Sequence, residues 1–137
     1  MVPKGRRPQA SRETLRGQQV QRPEFNKATP KFCLNYLRSG FDVHALSHQR
    51  QAAFAKTLQK LAASTWQELT LAPRHGQGKE FIPVGKVKAP IPERFQDNER
   101  FTVFRYDGKL PMAGVRVDDV FHVLWIEPEF GRLYDHD

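Results

Sequence analysis

Phe101-Thr-Val-Phe-Arg-Tyr-Asp-Gly-Lys-Leu-Pro-Met-Ala-Gly-Val-Arg-Val-Asp-Asp-Val-Phe-His-Val-Leu-Trp-Ile126 is the stretch on which the fold turns. Residues 101–106 are rich in aromatic and β-branched side chains and read as a strand. Asp107-Gly108 is the dipeptide of a two-residue type I′ turn, in which both central residues need positive φ. Residues 110–117 then return, and Pro111, which has no N–H to give to a ladder, marks an edge strand or a strand start. Asp118-Asp119 makes the next turn. Residues 120–126 are apolar on both faces, which predicts the central strand of the sheet. Pro128 stops this strand, and residues 131–134 read as a short closing segment. The last third of the chain is therefore a β-meander.

Working back, Ser47 stands where an N-cap belongs. Phe54, Leu58 and Leu61 follow at i, i+4 and i+7, one face of a helix over 48–63. Thr65-Trp-Gln-Glu68 is a capping-box pattern that opens a second, short helix, and Pro73 closes it. Residues 31–37 read as a buried strand ended by Ser39-Gly40. Residues 74–98 are broken by Gly76, Gly78, Gly85, Pro83, Pro90 and Pro92 and read as a long connection, a kind of segment that commonly carries function. The order β-α-α-β-β-β predicts an α+β fold. Two N-terminal helices pack on an antiparallel sheet of about four strands.

The chain of 137 residues suffices for one domain, and its 10 Phe and 2 Trp supply large groups to bury. One cysteine, Cys33, allows neither an intrachain disulfide nor a cysteine-based zinc cluster. No apolar run reaches the ~20 residues of a membrane helix, and the basic N-terminus lacks an apolar signal core. These features lead us to expect a cytoplasmic protein without membrane contact. The formal net charge of +7 is uneven. Lys4, Arg6, Arg7, Arg12, Arg16, Arg22, Lys27 and Lys31 face only Glu13 and Glu24 in residues 1–31. The rest is nearly balanced, with a mildly positive middle and an acidic end. Residues 1–30 read as a basic extension unable to bury enough surface to offset ordering, with a short helix near 11–19. This extension is either a solvated tail or an arm that docks on nucleic acid or a partner. Residues 31–137 form the single domain.

The element order, together with Gly114, Arg116, Val120, Phe121, His122, Trp125, Glu127 and Pro128, resembles the RelE/ParE-like toxins of bacterial toxin–antitoxin pairs. Residues 58–69 resemble the helix pair of the same set. The resemblance spans roughly 31–134, and only the last strand pair is specific. It implies a metal-independent endoribonuclease that cuts mRNA, free or on the ribosome, with no cofactor. The RNA 2′-OH would attack its own phosphate, and a cognate antitoxin would hold the toxin inactive. ParE-like members share the fold and act on DNA gyrase. Relatives often carry a histidine shortly after the Glu/Asp-Pro pair. Here that place is Phe130, and the next histidine is His136. The acidic C-terminus is a second departure from the pattern.

Such chemistry needs a proton acceptor, cations around the phosphate and a proton donor for the leaving oxygen. The candidates are His75, Arg105, Arg116, Tyr134 and His136. His75 is a solvent-exposed loop histidine or an acid/base. Arg105 and Arg116 either pair with Asp118, Asp119 or Glu127, or share a face and hold the scissile phosphate. Tyr134 could act as a base or stack on a nucleobase and His136 could be the acid, or both belong to a disordered tail. Lys79, Lys86, Lys88 and Arg132, with Arg6, Arg7 and Arg12 of the extension, are candidate RNA contacts or merely solvated charges. His122 reads as a satisfied core histidine. His44 and His48 lack a third ligand, so no metal site is expected. Two further readings remain: a non-catalytic nucleic-acid- or protein-binding module using the basic arm, and a gyrase-directed toxin.

Overall fold

The computed structural model describes residues 23–72 and 78–136. The helix expected near 11–19, Arg6, Arg7, Arg12 and His75 lie outside the described residues. The elements are α1 (Pro23–Asn26), β1 (Lys31–Cys33), α2 (His48–Ala62), α3 (Trp66–Leu71), β2 (Glu80–Pro83), β3 (Arg100–Asp107), β4 (Leu110–Val117) and β5 (Val120–Ile126). The chain is α+β. Its five strands lie in the order β1-β5-β4-β3-β2.

Both helix starts follow from local chemistry. The Ser47 hydroxyl accepts from the Arg50 N–H. In the capping box, the Thr65 hydroxyl accepts from Glu68 N while Glu68 Oε1 accepts from Thr65 N at 2.8 Å. Packing starts upstream of Lys31: Trp66 N donates to Ala28 O at 3.0 Å, and Asn26 Oδ1 accepts from Arg116.

Several expectations need correcting. The sheet has five strands rather than about four, because the long connection contributes β2 as an edge strand antiparallel to β3. The sheet is mixed, since β1 runs parallel to β5 with Lys31 opposite Val120 and Cys33 opposite His122. The chain leaves β1 after three residues, so the strand expected over 31–37 ends at Cys33. The central position belongs to β4, not β5. Pro111 thus lies in the central strand. It occupies the second position, opposite Arg105 and beside a register shift, where its missing N–H disturbs the ladder least. That shift leaves Tyr106 unpaired and sets Asp107 opposite Leu110. The turn is therefore Gly108-Lys109, in which only Gly108 has positive φ (60°), a pattern incompatible with type I′. Asp118-Asp119 forms the expected second turn, and Asp118 adopts φ 59°, tolerable for its short side chain.

Both faces of the sheet are covered. On one, α2 and α3 bring Phe54, Leu61, Trp66 and Leu69 against Phe104, Met112, Phe121 and Val123. On the other, the connection and the C-terminal segment bring Ala89, Phe95 and Leu133 against Phe101, Val103, Val115 and Trp125. Coverage on both sides explains why β4 and β5 are apolar apart from Arg116 and His122. A bulge divides these cores. Ala113 pairs with Trp125 and Gly114 with Val123, so Leu124 is the extra residue, and both Leu124 and Trp125 face the second core. Each indole N–H finds a carbonyl: Trp66 donates to Asp119 O at 3.1 Å and Trp125 to Pro90 O at 3.0 Å.

His122 sits between Tyr36 and Phe95, with ring centroids at 5.7 and 5.6 Å. It is half-buried, and its Nδ1 has no hydrogen-bond partner among the described residues, so it is not the satisfied core histidine expected. Burial, and then the nearby Arg94 guanidinium, hold its pKa below 6.5. The unfolded chain then binds the proton more readily, so acid favours unfolding. Stability is expected to fall as pH drops below about 6.5, and His122→Phe should flatten this part of the profile in urea melts at stepped pH. An unchanged slope in the variant would show that other groups set it.

Candidate functional site

The second face opens between β2, β3 and the C-terminal segment into a groove of about 510 Å³. Glu80, Phe81, Ile82, Pro83, Lys86, Val103, Arg105, Lys109, Phe130, Tyr134, Asp135 and His136 line it. Period-2 alternation puts Arg105 here, on the same face as Phe101 and Val103. Its Nε lies 3.9 Å from Glu80 Oε2, a loose pairing.

The deepest polar group at this end is Glu127, fully buried at the end of β5. Its Oε2 accepts from Leu133 N at 2.7 Å, and its Oε1 lies 2.6 Å from His136 Nε2. Tyr106 Oη donates to its backbone carbonyl at 2.6 Å. The C-terminal segment is thus folded back over a buried carboxylate, and this contact orients the His136 ring. The carboxylate accepts, so His136 Nε2 is the donor in this contact. The Tyr134 ring lies tilted against His136 at 4.4 Å and Phe130 meets it edge-on at 4.9 Å. Burial, with the Glu80 and Glu127 carboxylates adding to it, pushes the Tyr134 phenol up to about 12. Tyr134 therefore keeps its proton at neutral pH.

The other candidates fall elsewhere. Arg116 lies on the helix-covered face, opposite Arg105, so the two cannot hold one phosphate. Bulged pairing does not alter this: Arg116 alternates with Gly114 and Met112, and Met112 belongs to the helix-side core. Arg116 is 1% exposed. Its Nε donates to Asp118 O at 2.7 Å, its Nη2 donates to Asn26 Oδ1 at 3.1 Å, and its Cζ sits 4.3 Å from the Trp66 ring centroid. Lys88 pairs with Asp135 at 2.5 Å on the rim of the groove. Arg132 pairs with Glu129 at 3.4 Å. Lys79 lies over the Phe81 ring.

Of the candidate residues, Arg105, Tyr134, His136 and Lys86 line one groove, together with Glu80 and Lys109, which were not among the candidates, and Glu127 lies buried beside it. The signal for Glu127 was present. A carboxylate directly after a strand apolar on both faces must be buried with partners, yet it was counted with the acidic tail. Among the described residues, no group of three or more His, Cys, Asp or Glu could hold a metal ion, and no helix is long and apolar enough to cross a membrane. Comparison with protein-family models, curated proteins and solved structures finds no match to this chain.

Proposed function

We propose that the groove cuts RNA without a metal, and that the chain is an endoribonuclease of the RelE-like toxin kind. The observation carrying this reading is the His136–Glu127 contact, an imidazole oriented by a buried carboxylate beside Arg105 and Tyr134. His136 Nδ1 takes the proton of the 2′-OH as that oxygen attacks the adjacent phosphorus. Arg105 neutralises charge on the phosphate oxygens, with Lys86 and Lys109 drawing the strand in. Tyr134 gives its proton to the departing 5′-oxygen as the P–O5′ bond breaks. A 2′,3′-cyclic phosphate remains, and the phenolate regains its proton from His136 or water. The antitoxin partner follows from the same resemblance.

The test is incubation of purified chain with mRNA in EDTA, with and without ribosomes. The expected products end in cyclic phosphate, and an RNA 2′-deoxy at the cleavage position is spared. Intact mRNA in both arms, with no growth arrest on expression, would defeat the reading. The excess positive charge of residues 1–31 favours a second reading, in which the chain binds nucleic acid without cutting it. Unchanged affinity in low salt after removal of residues 1–22 would dismiss that one. Inhibition of supercoiling would point instead to gyrase.

A further inference from the structure

The C-terminal segment presents one aromatic ring that the packing leaves largely uncovered. Phe130 is 56% exposed, and it lines the groove. Its backbone is held on both sides. Arg50 donates from α2 to the Pro128 carbonyl, and Lys88 Nζ donates to Gly131 O at 3.0 Å. Arg132 N donates to Glu129 O at 3.3 Å, which closes a turn over Phe130 and Gly131. Gly131 takes φ 88°, the positive value that a type II turn places on its second central residue. Phe130 is the first central residue, so its ring projects from a fixed turn. Phe81, the other exposed aromatic side chain of the lining, is placed differently. It alternates with Ile82, which belongs to the groove-side core, so its ring turns to the other face. Arg100 Cζ at 3.8 Å and Lys79 Nζ at 5.3 Å already lie over that ring.

A single exposed apolar side chain is ordinary on a protein surface. Phe130 is set apart by what surrounds it. Its ring meets His136 edge-on at 4.9 Å, and Lys86, Arg105 and Lys109 line the same groove. The two carboxylates of the lining, Glu80 and Asp135, face Arg105 and Lys88. Cations beside an exposed aromatic face make up a site for unpaired bases: the cations take phosphates, and the ring takes the face of a base. We propose that Phe130 is a stacking platform for a nucleobase, and that the groove therefore takes single strands and not duplex. In a duplex each base is already stacked between its neighbours and offers no face to the ring. The inference rests on reading the groove as a nucleic-acid site, not on cleavage there.

Binding of the full chain is measured by fluorescence anisotropy with a 2′-fluoro oligoadenylate, which has no 2′-OH to attack, and with an abasic strand of equal length and charge. The parent chain is expected to prefer the base-bearing strand. In Phe130→Leu that preference should fall about tenfold, within the range of one base–aromatic stack, while affinity for the abasic strand holds. Phe130→Tyr should restore it. Thermal melts of both variants should match the parent, because the ring is exposed. Binding of a blunt duplex should not depend on Phe130. No preference in the parent, an equal preference in Phe130→Leu, no recovery in Phe130→Tyr, or a duplex that depends on Phe130 to the same degree would overturn the inference. Cleavage of mRNA by the parent beside any of these results removes the platform and keeps the nuclease reading. A Phe130-dependent preference in a chain that never cleaves does the reverse, and no binding to any strand defeats both.

Discussion

RNA cleavage by the His136→Ala variant is expected to fall by about 10²–10⁴, the contribution of a positioned general base, while its melting temperature stays near that of the parent chain. The two halves of this expectation rest on different features. His136 lies one residue from the chain end and supports little packing beyond the Tyr134 and Phe130 rings. Its bond to Glu127 nevertheless holds the ring at the groove wall. Glu127→Gln keeps an acceptor for Leu133 N and removes the charge that orients the imidazole. It should therefore lower cleavage less than His136→Ala does. Tyr134→Phe keeps the tilted ring and removes the proton donor. Its deficit should largely vanish with a substrate whose leaving oxygen is already a good leaving group, and a deficit that persists there would remove Tyr134 from the acid role. Single-turnover rates for the three variants, beside urea melts, decide the matter. Full activity in His136→Ala would mean that the groove does not work as described.

The largest stability effect should come from one methyl group. A Cβ added at Gly114 would lie 1.8 Å from the His122 carbonyl oxygen and 2.9 Å from its carbon. Both obstacles are backbone of the neighbouring strand, so no rotamer change relieves them. Gly114 is the residue at which the β4–β5 register shifts around Leu124. Gly114→Ala must either break the bulge or push β5 away from β4, the best-buried pair in the sheet. We expect a loss of about 3 kcal/mol or more, at the upper end of overpacking costs because backbone rather than side chain must yield. Chemical denaturation would measure it. A change within about 0.5 kcal/mol, the range of an ordinary surface substitution, would show that the strands separate easily there.

A milder effect concerns alkali. Burial, and then Arg116 and Arg100, hold the Lys79 ammonium at about 8 in the folded chain against 10.5 when unfolded, so the unfolded state holds more protons between those values. Stability should rise with pH from about 8 to about 10, below the range in which the tyrosines reverse the trend. Denaturation midpoints of Lys79→Gln should lack this rise, and a rise equal to the parent's would exclude Lys79 as its source.

Local sequence determined the helices and the meander. The Ser47 cap and the Thr65–Glu68 box act within one helical turn, and the spacing of Phe54, Leu58 and Leu61 fixes a buried face, so these elements could be read directly. Turn chemistry at Asp118-Asp119 was equally local. Pairing between strands was not. β2 is four residues, broken by prolines nearby, and becomes a strand only because β3 offers it an edge. Gly108-Lys109 replaced Asp107-Gly108 because the Tyr106 bulge shifts the register by one residue. The same dependence separated Arg105 from Arg116. Each alternates correctly along its own strand, but which face each strand presents is settled by the ladder and its bulges.

The groove shows the same division. Arg105, Tyr134 and His136 could be singled out as candidates from residue type alone, because chemistry resides in side chains. Their meeting was decided by the C-terminal segment folding back on Glu127, a contact between a buried strand end and a tail nine residues later. Sequence fixes what a residue can do and the period on which it repeats. Only tertiary packing, which sets burial and long-range pairing at once, decides which of those residues share one space.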